Sequence, residues 1–555
     1  MTVSTHTYTA VLLGSPNVPL LVRGGSVTLD ESRAPHVEAQ LQIALPNLAT
    51  LVALDPRLGK RIRLTATSTM TGSRTFDLVL TARVMMLAAG TVQLNLASDE
   101  TLLAGYAPLA DIDLYDRAND IKALAAYVVG VVLGAAPTIS GPTADLTPYW
   151  DATNLIRNPS FETDLTLWGW TGATTERVND WSASNPWAMR LTSGGSIDSF
   201  AYPDGDVGGI RSGMSPGRTY TAQAEYRIGG SALGGSAGPR ARRIVAFVKA
   251  PSLGPGYVEY ASDPMPNTVN TRRRLGVTFD LPADTTEAFI RLYNGHTDGS
   301  VWIDAVSLTS DSRHTTYFDG SVPATPGYLY FWTGEAHKST SQRHPLVESA
   351  DPDAFLWRAG QSALDFLVPL VQAAGLRLVC DETRSWSMRG EGYAAPGTLT
   401  IRHGINLIDG DDTISRDDDS WFDAAITRYE WTDRYGVKQT RVDAYGVAGY
   451  TRAREFTKTT PYPGPGFSEY AVRRAKTRGR QVTGTIVTDW QARAEQAVIV
   501  TLSGAPVQTG RIGSVQFDLD NDRVTATTRT VDTPIGAIDL LTGTVNGLSG
   551  QINNL

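Results

Sequence analysis

Two short stretches of the sequence carry the residues best suited to chemistry. The first is NLIRNPSFE at residues 154–162, in which Asn158-Pro159 predicts a turn shortly before the acid Glu162. The second is VWIDAVSL at residues 301–308, in which apolar residues surround Asp304 and predict a strand buried on both faces. A carboxylate in such a strand is costly unless it is paired or binds a metal.

Aromatic residues between these stretches could bind sugar. A flat ring stacks on the apolar face of a pyranose while polar neighbours bind its hydroxyls. Most of the rings suit a core, as Trp168 and Trp187 do in their patterned apolar contexts. The residues with the better contexts for a surface contact to carbohydrate are Trp181, Tyr257 and Tyr260, and Tyr293 is a further candidate. The basic run Arg272–Arg274 predicts a solvated strand edge.

No catalytic constellation is convincing, and we expect the chain not to be an enzyme. GGSAG at 234–238 has the letters of a nucleophile elbow, but it lies in a Gly/Ser/Pro-rich stretch rather than between strand and helix. Zinc-ligand spacing is absent, because the seven histidines are scattered and Cys380 is the single cysteine. The 57 acids leave a carboxylate pair for glycosidic cleavage open, although no pair stands out.

One acid-rich stretch invites a metal interpretation. It is DGDDTISRDDDS at residues 409–420, and its spacing does not fit the calcium-binding loop of helix–loop–helix proteins. We interpret it as a solvated loop.

Strand patterns dominate residues 1–146. Apolar residues alternate with polar ones over 37–45, 62–66, 76–80 and 92–96, which predicts an antiparallel barrel or sandwich. The spacing of Ile121, Leu124, Ala125, Val128 and Val132 then predicts a helix, with Asn119 as its N-cap and Gly134 at its end.

Residues after 345 mix helices and strands. An apolar stripe from Phe355 to Ala374 predicts a helix that Pro369 kinks or breaks. A strand pair follows at 376–380 and 385–389, then a hairpin and a basic helix at 468–478. The last strands are predicted at 481–488, 497–502, 511–519 and 523–530.

The C-terminal tail, residues 536–555, has heptad spacing. Its apolar residues are separated by alternating steps of three and four, as in the seam of a short trimeric coiled coil: Ile538, Leu541, Val545, Leu548, Ile552 and Leu555. Three glycines in the same stretch oppose a helix. The alternative is an extended segment that docks on a neighbouring protein.

Length and composition limit the classes of protein to which this chain can belong. The 555 residues exceed what one core supports, so several domains are expected. A net charge of −8 without a strongly basic segment argues against nucleic-acid readout. The apolar run around 123–136 is too short to span a bilayer, and the first residues do not resemble a signal peptide. One cysteine allows no intrachain disulfide, which fits folding in a reducing cytoplasm.

The two stretches described first resemble the opening turn and closing strand of jelly-roll carbohydrate-binding modules from secreted glycosidases. The matching residues are Asn158, Ser160, Phe161, Glu162, Trp302, Ile303, Asp304, Val306 and Leu308. The resemblance implies a structural Ca²⁺ held by oxygens of Glu162, Asp304 and Ser160, which agrees with the preference of calcium for oxygen ligands. The alternative is a hydrogen-bonded acid pair without metal.

The rest of the chain resembles the baseplate-hub family, the minor tail proteins of long-tailed phages that infect actinobacteria. The stretches that carry this resemblance are 27–46, 54–67, 355–382, 420–433 and 531–555. The family implies two hub β-barrel domains with small α+β parts, assembled as a homotrimer at the tail tip. Its implied partners are the distal tail protein, the tape measure protein, other minor tail proteins and a host cell-wall glycan.

Together these patterns predict a mainly β, multidomain virion protein made in the host cytoplasm. Its predicted domains are a first barrel with a helix (1–146), an inserted jelly roll with an aromatic appendage (147–344), a second hub region (345–535) and the tail (536–555). One alternative is a purely structural tail protein whose jelly roll only packs on neighbours. The other is a glycoside hydrolase with a binding module.

Overall fold

The computed structural model describes residues 4–184, 186–311, 313, 316–414, 421–477, 480–503 and 507–530. The chain is mainly β, with 46% strand and 12% helix, so the predicted mainly β, multidomain class is confirmed. It divides into two compact units. The first unit combines residues 1–148 with 349–555, and the second, which we call the sandwich unit, is residues 149–348.

The first unit opens with strands whose alternate residues are buried. The strands are β1 (His6–Leu12), β2 (Val18–Leu20), β3 (Val22–Asp30), β4 (Val37–Ala44), β5 (Arg61–Ser68), β6 (Gly72–Met86), β7 (Thr91–Ala97), β8 (Ile112–Asp113) and β9 (Ile139–Ser140). The helices are α1 (Leu48–Ala53), α2 (Glu100–Gly105) and α3 (Ile121–Leu133). Asp120 caps α3 rather than the predicted Asn119, because its carboxylate accepts the backbone N–H groups of Lys122 and Ala123.

The sandwich unit is built almost entirely of strands. They are β10 (Ala152–Asn154), β11 (Trp168–Thr171), β12 (Ala173–Val178), β13 (Ala188–Ser193), β14 (Phe200–Pro203), β15 (Arg218–Ile228), β16 (Gly234–Ala237), β17 (Ile244–Lys249), β18 (Val258–Ala261), β19 (Arg272–Leu281), β20 (Glu287–Tyr293), β21 (His296–Asp298), β22 (Ser300–Thr309), β23 (Tyr328–Trp332) and β24 (Ser341–Pro345).

Two five-stranded antiparallel sheets enclose the core of the sandwich unit. Sheet I has the order β11-β14-β20-β17-β18, and sheet II has the order β12-β13-β22-β15-β19. Phe161 and Trp168 of the opening turn are buried in the core between them, as their apolar context predicts. The strands β10, β24 and β23 form a separate small sheet that contains the first and last strands of the unit.

The remainder of the first unit follows the sandwich. Its strands are β25 (Leu356–Trp357), β26 (Leu376–Cys380), β27 (Trp386–Gly390), β28 (Ala395–Arg402), β29 (Leu407–Ile414), β30 (Ala424–Thr432), β31 (Lys438–Gly446), β32 (Ala453–Lys458), β33 (Arg480–Val487), β34 (Gln496–Thr501), β35 (Gln508–Asp518) and β36 (Arg523–Thr530). Its helices are α4 (Ala363–Ala373) and α5 (Phe467–Lys476). Short 3₁₀ helices lie at Pro56–Leu58, Leu87–Ala89, Tyr115–Arg117, Pro251–Leu253 and Pro352–Phe355.

Two local predictions in this region were wrong. The helix predicted from Phe355 begins at Ala363, because Ser362 caps it there and Leu356–Trp357 pairs with β8 instead. It then runs through Pro369 without a break. The acid stretch predicted as a loop is β29 as far as Ile414, since these residues pair with β33 along an exposed sheet edge.

One 13-stranded sheet contains strands from both ends of the chain. It runs in the order β2-β1-β5-β6-β7-β4-β3-β35-β36-β33-β29, with β34 paired to β35 and β28 paired to β34. The pair β3–β35 joins the two ends, with Ser26 opposite Asp518 and Asp30 opposite Ser514. The buried residues of both ends form a single hydrophobic cluster.

A buried ion cluster reinforces this junction. Glu31, which follows β3, bonds Arg529 of β36 at 2.6 and 2.7 Å and lies 3.3 Å from Arg474 of α5. Arg377 of β26 lies 3.8 Å from Glu31 and also pairs with Glu495. Because all five side chains are at least nine-tenths buried, these pairs fix how five separate segments pack.

Candidate functional site

An aromatic cluster covers the face of sheet I that points away from the core. On β20, Ala288, Ile290 and Leu292 point into the sandwich, so the alternate residues point outward. The same alternation on β14 and β17 completes a cluster that we call the aromatic face: Phe200, Val245, Phe247, Phe289 and Tyr293.

Arg291 lies over this face. Its guanidinium carbon is 4.3 Å from the ring centre of Phe200, 4.8 Å from that of Phe247 and 5.0 Å from that of Phe289. Asp206 accepts two hydrogen bonds from it, both 2.8 Å long. The ring contacts and this bidentate pair hold the cation in one place.

A second arginine, Arg240, also covers part of the aromatic face. Arg240 lies 5.5 Å from the ring of Phe247 and bonds both carboxylate oxygens of Glu259, at 2.5 and 2.8 Å. The bond to Glu259 raises the pKa of Arg240, and that to Arg240 lowers the pKa of Glu259, so both groups stay charged. Phe200, Phe247 and Phe289 are each no more than 5% exposed beneath the two arginines.

Tyr257 is the exposed ring at the edge of the aromatic face, with 38% of its surface accessible. Its hydroxyl donates to Glu287 at 2.7 Å, and Lys249 bonds the same carboxylate at 2.7 Å. The bond from Lys249, followed by that from Tyr257, lowers the pKa of Glu287 to about 2. Burial, followed by the bond to Glu287, raises the pKa of Tyr257 to about 12.

This arrangement suits a ligand that carries many hydroxyl groups. The charged pairs of Arg291, Arg240 and Glu287 can donate and accept hydrogen bonds at the rim, and Tyr257 offers a partly open ring for stacking. The phenyl rings themselves offer no open face, because the guanidinium groups cover them.

The four residues predicted to contact sugar lie in three places. Tyr257 and Tyr293 belong to the outer side of sheet I, but Tyr293 is fully buried there. Tyr260 packs against the interior core, with its ring 6.2 Å from that of Phe279. Trp181 lies beside sheet II, where its ring centre is 6.0 Å from the guanidinium carbon of Arg227. The structure therefore brings only Tyr257 to an accessible ring position on the aromatic face.

Asp304, the first predicted metal ligand, is fully buried on β22. Its carboxylate accepts the backbone N–H groups of Ala183 at 2.6 Å, Ser184 at 2.9 Å and Ala305 at 2.6 Å, and also the hydroxyl of Ser184. Burial raises the pKa of Asp304 to about 7 in spite of these donors. The predicted alternation along β22 ends at Ala305, whose positive φ of 50° turns Val306 into the core.

The other two predicted ligands, Glu162 and Ser160, lie near a third carboxylate, Asp319. Ser160 donates to Asp319 at 3.1 Å, and the backbone N–H of Trp187 donates to Glu162 at 3.4 Å. Burial raises the pKa of Glu162, and the charge of Asp319 adds to this effect. Arg177 donates to the backbone carbonyl groups of Phe161 and Glu162.

These oxygens match calcium in chemical type, since Glu162, Asp304 and Asp319 supply carboxylates. Asp304 already has hydrogen-bond donors on both oxygens, so an ion there would have to displace at least one of them. No group of three or more acidic, His or Cys residues with metal-site spacing occurs in the part of the chain that the structure describes. The predicted oligomer contacts of the tail, Ile538 to Leu555, lie outside the described residues.

Sequence reasoning missed the residues that organise the aromatic face. Arg291, Arg240 and Phe289 were not singled out. The signal was present in EAFIRLY at 287–293, where Phe289, Arg291 and Tyr293 occur at alternate positions of one strand. Asp319 was also missed, because no sequence feature near it indicates that it accepts a hydrogen bond from Ser160.

No protein-family model and no curated protein matches this chain. Solved structures do resemble it. The tail protein from Neisseria meningitidis MC58 is 8% identical over 95% of this chain and 96% of its own, with a TM-score of 0.37. The 43 kDa tail protein of prophage MuSo2 from Shewanella oneidensis is 8% identical over 94% and 98%, with a TM-score of 0.36.

A third similar structure is the CBM22-1–GH10 part of xylanase 10B from Clostridium thermocellum, complexed with xylohexaose. It is 12% identical, and the match spans 28% of each chain with a TM-score of 0.23. Among the described residues, no helix is long and apolar enough to cross a membrane.

Proposed function

We propose that this chain is a structural protein of a phage tail tip, of the baseplate-hub type. In this proposal three copies form a ring at the end of the tail tube, and the sandwich unit contacts a glycan on the host cell surface. The neighbours in the particle are the distal tail protein, the tape measure protein and other minor tail proteins. The proposal includes no catalytic role.

The observation that carries the proposal is how the two units are connected. β3 and β35 join distant parts of the chain in one sheet, so the first unit is complete without the sandwich unit. β10 and β24 pair within the sandwich unit, with Asn154 opposite Ser341. An insertion whose first and last strands pair adds a ligand-binding unit to a structural ring protein without interrupting its core.

The aromatic face supports the glycan part of the proposal. Tyr257 can stack on a pyranose, and the arginine–carboxylate pairs of Arg291 and Arg240 can bind its hydroxyl groups. The covered phenyl rings favour a second candidate, in which the sandwich unit only packs against a neighbouring tail protein. Both candidates leave the role of the first unit unchanged.

We also propose that a structural calcium binds at the opening turn, held by Glu162 and Asp304, with Ser160 and Asp319 beside them. Its role would be to neutralise carboxylates whose pKa values burial raises. Unfolding of the full chain with chelator, and then with calcium, tests this proposal. The expected result is a rise of about 2.7 kcal/mol in the free energy of unfolding at a hundredfold excess over Kd.

Binding and mass measurements on the purified full chain test the main proposal. We expect a solution mass three times 59.7 kDa. We also expect retention on neutral host cell-wall polysaccharide, lost in Tyr257→Ala and kept in the matched variant Tyr435→Ala, whose ring is similarly exposed in the first unit. A monomer that does not bind the polysaccharide would contradict both trimer formation and glycan binding. A trimer that does not bind it would favour the candidate in which the sandwich unit packs on a neighbouring tail protein.

A further inference from the structure

Strand register places five side chains in one line across the outer face of sheet II. Glu176 lies opposite Arg190, Arg190 opposite Trp302, Trp302 opposite Arg227, and Arg227 opposite Arg272. Their neighbours along the strands, such as Tyr226 and Ile303, are buried in the interior. This cross-strand row therefore points away from the core, and at the usual strand spacing it is about 19 Å long.

The row contains a cation, Arg227, that has no carboxylate partner among the described residues. Arg272 bonds Glu225 at 3.0 Å and Arg190 pairs with Glu176. Arg227 donates to the amide oxygen of Asn270 at 3.2 Å and makes no ion pair with any residue in the described ranges. Like charges directly opposite each other on neighbouring strands are destabilising, so Arg227 beside Arg272 costs stability in the protein alone.

Trp302 lies between Arg190 and Arg227 and is held rigidly. Its indole rests on Gly229, where an added Cβ would come within 2.4 Å of the ring. Its Nε1 donates to Asp180 at 2.8 Å. The segment that carries Asp180 and Trp181 is tied to the sheet by Asp304, which accepts the N–H groups of Ala183 and Ser184. A flat ring is thus fixed between two guanidinium groups.

We propose that the cross-strand row binds an acidic polysaccharide. A pyranose ring stacks on Trp302, and a carboxylate or phosphate on the glycan pairs with Arg227. This proposal rests on the sandwich unit being a glycan-binding unit, but it assigns a different face and a charged class of glycan.

An acidic polysaccharide can replace some of the existing contacts of the row. The pairs Arg190–Glu176 and Arg272–Glu225 involve arginine side chains that are 34% and 51% exposed. Both partners of the Arg190–Glu176 pair are exposed, at 34% and 60%, so this pair contributes little to stability and an anion on the ligand can replace it. An anionic group would also relieve the repulsion between Arg227 and Arg272. A polysaccharide suits the row better than an acidic peptide, because the rigid indole provides a flat apolar surface for a sugar ring.

Binding titrations of the full chain distinguish the ligand classes. The probes are oligogalacturonate, a glycerol-phosphate polymer, a neutral xylo-oligosaccharide and poly-glutamate, each at low and high salt. We expect oligogalacturonate to bind, with affinity falling as salt rises. The glycerol-phosphate polymer carries charge but no sugar ring, so it should bind more weakly. Arg227→Gln should weaken that binding about tenfold or more, as loss of a charged hydrogen bond does. Trp302→Leu should weaken it as well.

The matched control is Arg441→Gln, an exposed arginine of β31 in the first unit, which should leave acidic-glycan binding unchanged. The proposal is overturned if oligogalacturonate does not bind, if Arg227→Gln binds it as tightly as the wild type, or if poly-glutamate or the glycerol-phosphate polymer binds equally well. Binding of the neutral oligosaccharide that is lost in Arg291→Gln but kept in Arg227→Gln would support the aromatic face alone. The titrations therefore distinguish a cross-strand row that does not bind acidic glycan from a sandwich unit that binds no glycan at all.

Discussion

Ser26 of β3 lies opposite Asp518 of β35, so strands from the two ends of the chain are neighbours in one sheet. Glu31 and Arg529 add a buried ion pair a few residues from this junction. The sandwich unit is therefore an insertion between two parts of the first unit, and those two parts pair with each other in one sheet.

The sandwich unit should fold by itself. We expect residues 149–348 alone to unfold cooperatively, because both sheets and the core between them lie within this range. A matched control is the shorter piece 149–299, which lacks β22 from the centre of sheet II and should be unfolded. Circular dichroism with chemical denaturation measures both, and a non-cooperative transition for the longer piece would contradict the two-unit architecture.

Removing Glu31 should loosen the first unit. In Glu31→Gln the buried Arg474 and Arg529 lose their shared carboxylate, which should cost about 3–5 kcal/mol. Hydrogen exchange of peptides covering β36 measures the change in opening free energy. Glu38→Gln is the control, since its 3.7 Å pair with Arg33 is exposed and should change little. Equal protection in the two variants would show that the ion cluster does not hold the junction.

The stability of sheet II should depend on pH through Asp304. Burial raises the pKa of this carboxyl from 3.8 to about 7, so between these values the folded state holds a proton that the unfolded state has released. The contribution is present at low pH and is lost as pH rises through about 7. From pH 5 to pH 8 the loss should be about 2–3 kcal/mol.

Hydrogen exchange of β22 at several pH values measures this dependence, after correction for the intrinsic exchange rate. Asp304→Asn should remove it, because the amide does not titrate. If calcium binds there, adding it at pH 8 should restore protection in the wild type and not in the variant. A wild-type profile that is flat from pH 5 to pH 8 without calcium would mean that Asp304 ionises normally.

Local patterns predicted much of this fold. The alternation of Val37, Ala39, Leu41 and Ile43 identified a half-buried strand, and the spacing from Ile121 identified α3. The basic run Arg272–Arg274 does lie on β19, the edge strand of sheet II. These features depend on residues that are close in sequence, so the residue pattern along the chain predicts them directly.

The joining of the chain ends could not be predicted in this way. Nothing near Ser26 in sequence indicates that its neighbour is Asp518, because the contact depends on the path of the whole chain. The same limit applies to the candidate sites. Its local sequence context suggested Tyr260, and its aromatic ring suggested Tyr293. Strand register turns Tyr260 into the core, and Arg240 helps to cover Tyr293.

A reconstruction of the intact virion would show directly whether this chain forms the tail-tip ring. We expect three copies of this chain around the tail axis at the tip, with the first units forming the ring and the sandwich units reaching solvent. Finding the chain elsewhere in the particle, in another copy number, or absent from the particle would contradict it.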